Sequence, residues 1–89
     1  QWRGYILDGT ESTNNVINEQ NVLEFRFKNK GTNCTVIVNG IQLAVGEEFA
    51  ENLQTDEKTF GDYRVDYIIP AGQRGEKKLQ VMVKTWVVN

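Results

Sequence analysis

A chain of 89 residues with 10 basic and 12 acidic side chains and a net charge of −2 has room for one hydrophobic core. It is read as a single domain over residues 1–89, without the basic excess of a nucleic-acid binder. The lack of histidine and the single cysteine, Cys34, exclude an internal disulfide, Ser–His and Cys–His nucleophiles, and the common zinc, copper and iron ligand sets. No stretch approaches the roughly 18 apolar residues that span a bilayer, so no membrane insertion is expected. The first residue is Gln1, which reads as a processed product, a fragment or an expressed piece and leaves the compartment unassigned.

In chain order, Tyr5-Ile6-Leu7 is a short apolar run within Gly4–Asp8, and Thr10–Gln20 reads as a polar loop. From about residue 21 the pattern alternates with period two, the signature of strands buried on one face. Leu23, Phe25 and Phe27 against Glu24, Arg26 and Lys28 predict a strand with an aromatic inner face and a charged outer one. Asn29-Lys30-Gly31-Thr32 reads as a turn. Cys34, Val36 and Val38 then share one face, with Thr35, Ile37 and Asn39 on the other.

Asn39-Gly40 between two apolar runs predicts a two-residue hairpin, because a type I′ turn requires positive φ twice. The returning strand is expected to turn Ile41, Leu43 and Val45 inward until Gly46 breaks it. Glu47–Gln54 reads as a loop with a helical turn, from the spacing of Phe49 and Leu53, and Thr55–Gly61 as an exposed polar stretch. Tyr63, Val65, Tyr67 and Ile69 alternate with Arg64 and Asp66 up to Pro70, which cannot donate to a ladder. After a mobile connection at Ala71–Glu76, the last strand is placed at Lys77–Val88, with Leu79, Val81, Val83, Thr85 and Val87 on one side. Turn signals between short strands, without a long helix, predict an all-β fold: a small antiparallel β-sandwich or partly open barrel of about 5–7 strands.

Chemistry is sparse. Glu47, Glu48, Glu51, Asp56, Glu57 and Asp62 lie close in sequence, as a two-carboxylate hydrolase or a calcium site would need. Their spacing matches no calcium loop, and a solvated acidic segment is the simpler reading. Gly72-Gln73-Arg74-Gly75 lacks the helix that follows a phosphate-binding loop and reads as a turn, and Gln73, Arg74, Lys77 and Lys78 read as a solvated, edge-protecting patch. Asn33-Cys34-Thr35 fits the N-glycosylation pattern, which occurs often by chance.

No catalytic, cofactor or metal residue is therefore assigned, and no enzyme activity is expected. Trp86 and Met82 fall opposite the Leu79–Val83 row, and Trp2 and Tyr5 join them if the chain ends pair. These four are the candidate interaction residues: an apolar stripe of this kind suits burial in the sandwich, a subunit contact or a sugar-stacking platform.

The stretch NCTVIVNGIQLAVGEEF (Asn33 to Phe49) and the terminal KKLQVMVKTWV resemble the small β-sandwich modules of bacteriophage virion proteins, in head or tail fibres and decoration proteins. That resemblance spans Asn21 to Val88 and implies a structural or host-attachment module, often trimeric, in a virion or extracellular appendage. The partners it implies are further copies of the chain or neighbouring structural proteins. A carbohydrate-binding module that stacks a surface glycan on Trp2, Trp86 or a tyrosine is the alternative.

Overall fold

A computed structural model describes residues 2–11, 15–52 and 60–86. Eight strands succeed one another: β1 (Trp2–Asp8), β2 (Val16–Gln20), β3 (Val22–Asn29), β4 (Thr35–Val38), β5 (Ile41–Leu43), β6 (Glu48–Asn52), β7 (Phe60–Ile68) and β8 (Lys78–Thr85). They form two four-stranded sheets ordered β1-β8-β3-β6 and β2-β7-β4-β5, and every pairing is antiparallel.

The order follows from one fold-back. Asn39 (φ 48°) and Gly40 (φ 85°) turn β4 onto β5, with Val38 opposite Ile41, as the Asn-Gly signal predicts. Folding the rest of the chain about that hairpin sets β3 against β6, β2 against β7 and β1 against β8. The β3–β8 and β4–β7 pairings then complete each sheet, which gives the strand order of a jelly roll.

The core fills the space between the inward faces. Phe25, Phe27, Val36, Val65, Leu79, Val81 and Val83 are essentially inaccessible, and Ile17, Val22, Cys34, Val38, Leu43 and Tyr63 are buried with them. Phe25 stacks on Phe27 at 5.2 Å between centroids, and the Tyr63 ring meets both. The only buried polar side chain among the described residues is Asn29. Its amide donates to the carbonyls of Cys34 (2.7 Å) and Leu43 (2.9 Å), and its oxygen accepts from the Gly31 amide. Asn29 is thus the end of β3 and a pin between the sheets, where the sequence pattern suggested the start of a turn.

Several expectations are corrected. There are eight strands, because two edge strands read as loops: β2 lies in the predicted Thr10–Gln20 loop, and β6 replaces the predicted helical turn after Glu47. A bulge between Val22 and Glu24 shifts the register, so Val22 joins Phe25 and Phe27 in the buried row while Leu23 is half-buried. Ile41 and Val45 are 41% and 54% exposed: β5 is a three-residue edge strand, and Val45 lies beyond it. The connection Ala71–Glu76 contains a turn in which the Gln73 amide donates to the Pro70 carbonyl, and it ends at the Thr32–Glu76 bridge. Leu53, Gln54 and most of the Thr55–Gly61 expectation, with Asp56, Glu57, Val87 and Val88, lie outside the described residues.

Candidate functional site

Register places the outer face of the β1-β8-β3-β6 sheet residue by residue. One row across it reads Trp2, Lys84, Glu24, Asn52; the next Gly4, Met82, Arg26, Ala50; the third Ile6, Gln80, Lys28, Glu48. The opposite faces of β8 and β3 are the buried valine, leucine and phenylalanine rows, so this face is the chemically distinctive side of the sheet.

Trp2, Met82, Arg26, Gln80, Lys28 and Glu48 line an open depression of about 450 Å³ on this face. The Met82 side chain covers Gly4, its sulfur lying 2.5 Å from where a Cβ on that residue would stand. Met82 therefore lies across β1. The Arg26 guanidinium sits 4.9 Å from the Trp2 ring centroid and the Lys84 ammonium 5.9 Å, both within cation–π range. Arg26 also donates to Glu24 at 2.8 Å. Trp2 remains 39% exposed, and Lys28 and Lys84 form no ion pair among the described residues.

The four sequence-predicted residues do not make one stripe. Trp2 and Met82 meet on the outer face, as pairing of the chain ends requires. Tyr5 is three positions from Trp2, so the period of two turns it to the inward side, where its hydroxyl donates to Glu19 at 3.0 Å. Trp86 lies one residue past β8; its amide donates to the Asn21 carbonyl, and its ring is half-buried and outside the depression. Arg26 and Lys28 were assigned only to a charged outer face. Nothing local in the sequence places them beside Trp2, because that contact crosses β8.

Two tyrosine–carboxylate pairs close the open sides of the sandwich. Tyr5 of β1 reaches Glu19 of β2, which also pairs with Arg3, and Tyr63 of β7 donates to Glu51 of β6. Burial pushes both phenols above their ordinary range, and the neighbouring carboxylates add to the effect. The Glu47 carboxylate instead accepts from the Ala44 amide, while Glu48 faces the outer depression, so Glu47, Glu48 and Glu51 point to three different places. Among the described residues no cluster of three potential metal ligands occurs.

A second depression of about 220 Å³ is lined by Asn33, Cys34, Thr35, Ala44, Val45 and Pro70. Cys34 is 4% exposed, and burial raises its thiol pKa. The Asn33 amide of the glycosylation pattern is exposed and donates to Gln73 and to the Arg74 carbonyl. Comparison with known proteins finds no matching family model, no similar curated protein and no similar solved structure.

Proposed function

We propose that this chain is a non-catalytic interaction module whose contact face is the outer side of the β1-β8-β3-β6 sheet. The observation that supports the reading is the cluster of Trp2, Arg26 and Met82 around an open depression. These three residue types are enriched at protein interfaces, and Trp and Arg dominate their energetic centres. The inward face of the same sheet already supplies the core, so nothing in the fold requires an indole on the outside. The setting proposed is a virion or extracellular appendage, in assembly or host attachment; it rests on the resemblance of the Asn33–Phe49 and C-terminal stretches, since jelly rolls serve capsid and lectin domains alike.

A photo-crosslinking residue at Gln80, in the floor of the depression, tests the reading in the native assembly. Adducts to a neighbouring structural chain are expected from Gln80 and not from Ile37, on the outer side of the other sheet. The reverse pattern contradicts the assigned face.

Carbohydrate binding is the second reading, favoured by an aromatic wall beside Gln80, Glu48 and Lys28. It requires a sugar to displace Arg26 from the Trp2 ring. Tryptophan fluorescence that stays unchanged across a panel of oligosaccharides at millimolar concentration would remove it.

A further inference from the structure

The four sheet edges are not equally protected. β5 is three residues long, β2 ends in Asn18-Glu19-Gln20, and β6 carries Glu48 and Glu51. Shortness and charge are the usual defences of an edge strand. β1 also carries charge, but Arg3 is on the inward side with Glu19 and the Asp8 carboxylate is bonded to Thr10; the strand is seven residues long, pairs with β8 without a register shift, and exposes Trp2 and Ile6 (54%) on the outer face.

The hydrogen-bonding phase of β1 is also fixed. The Gly9 amide donates to the Lys77 carbonyl, in the register that sets Leu7 opposite Leu79. In an antiparallel ladder bonded pairs alternate, so Leu7, Tyr5 and Arg3 bond to β8 and the even-numbered residues point their backbone groups away from the sheet. The neighbouring pairing agrees: the Lys30 amide bonds the Lys78 carbonyl, which assigns even residues of β8 to β3 and odd ones to β1. The Asp8 carbonyl is already taken by the Glu11 amide, and its carboxylate by Thr10. Among the described residues this leaves Trp2, Gly4 and Ile6 as the outward-pointing backbone groups without a protein partner.

We propose that β1 pairs antiparallel with β1 of a second copy about a two-fold axis at Gly4. Trp2 then faces Ile6 of the other copy, Gly4 faces Gly4, and the available groups form about six inter-strand hydrogen bonds. The register is self-complementary in two ways. The two exposed apolar side chains of β1 cover each other, and the axis falls on the residue with no side chain. A shift that pairs Trp2 with Asp8 loses the apolar match and meets a carbonyl already bonded within its own chain.

The result is one continuous eight-stranded sheet that presents two depressions on the same side. A five-residue overlap falls below the roughly 1,200 Å² of a standard stable interface, so the contact belongs with the weak, reversible ones. The inference extends the interaction-module reading from the sheet face to the sheet edge; it shares Trp2 with that face but is carried by Ile6, Gly4 and the outward backbone groups of β1, so loss of self-association and loss of the Gln80 adducts are separate failures.

Sedimentation equilibrium up to about 1 mM tests it. The average mass is expected to climb from 10.2 kDa toward twice that value. Ile6→Lys should weaken association at least tenfold, while Ile41→Lys, which places the same charge on the β5 edge of the other sheet, leaves it within about threefold. A wild type that stays monomeric at 1 mM overturns the proposal, as does an Ile6→Lys variant that dimerises normally.

The register has its own test, because the native thiol Cys34 is buried. A Trp2→Cys, Ile6→Cys double variant should form an intermolecular disulfide on oxidation, since opposed bonded pairs lie about 5.5 Å apart at Cα. Ile6→Cys alone should not, the two copies being separated by roughly 13 Å along the strands. Efficient cross-linking of that single variant overturns the register.

Discussion

At both edges of the β1-β8-β3-β6 sheet a tyrosine–carboxylate pair bridges to the other sheet, reaching its edge strand β2 from β1 and its inner strand β7 from β6, and the two edges differ on the outside. At each, a tyrosine hydroxyl meets a carboxylate across the gap between the sheets: Tyr5 with Glu19 beside β1, Tyr63 with Glu51 beside β6. Behind β6 the tyrosine belongs to an aromatic cluster with Phe25, Phe27 and Phe49. Among the described residues there is no such cluster behind β1: Tyr5 and Leu7 are half-buried, and the large apolar groups of the strand, Trp2 and Ile6, face outward. One edge spends its apolar residues on the core and guards itself with glutamates. The other leaves apolar area and backbone groups available, which is what a strand built to contact something presents.

The largest expected difference between the edges lies in their tyrosines. Tyr63 is 6% exposed and touches two phenylalanines, so Tyr63→Ala should cost about 3–5 kcal/mol, as large aromatic truncations in cores do. Tyr5→Ala, at a half-buried position, should cost about 1–2 kcal/mol. Chemical denaturation of the two variants checks this, and equal losses would show that both edges are tied equally to the core.

Alkaline pH strikes both closures. Burial raises the pKa of Tyr5, Tyr63 and Tyr67 in the folded chain, that of Tyr67 to about 12, from an ordinary value of 10.0. A group whose folded pKa is raised stabilises fully below its unfolded pKa and loses that contribution as pH climbs through the folded value. Stability should therefore hold up to about pH 10 and fall from there through 12, with Tyr5 and Tyr63 carrying the loss above that, and the ultraviolet absorbance of tyrosinate appearing together with unfolding. Tyrosinate that forms near pH 10 in the folded chain would show the closures to be open to solvent.

The smallest effect is the most selective. Ile6→Lys changes an exposed side chain and should alter monomer stability by less than about 0.5 kcal/mol, while removing self-association. A large loss of monomer stability would mean that Ile6 serves the fold rather than the contact.

The sequence made the interior strands legible and hid two of the four edges, β2 and β6. Phe25-Arg26-Phe27, Tyr63-Arg64-Val65 and Leu79 to Val83 alternate because each strand buries one full face. The Asn39-Gly40 turn is written in two residues that accept positive φ. β2 and β6 escaped because each buries only one or two side chains, Ile17 in β2 and the half-buried Phe49 and Glu51 in β6, too few to set a period. The candidate site was half legible. Trp2 and Met82 follow from pairing the chain ends, but Tyr5 has the wrong parity and Trp86 lies beyond the ladder. Arg26 reaches Trp2 only through a register between strands far apart in the chain.

Amide hydrogen exchange, followed by NMR at low and high protein concentration, compares the two edges most directly. The outward amides of Gly4 and Ile6 should gain protection as concentration rises, while those of Ala50 and Asn52, which β6 turns outward in the same phase, stay fast at every concentration. Gly4 and Ile6 amides that exchange freely at millimolar concentration, or protection that appears at Ala50 instead, would contradict the assignment of β1 as the contact edge.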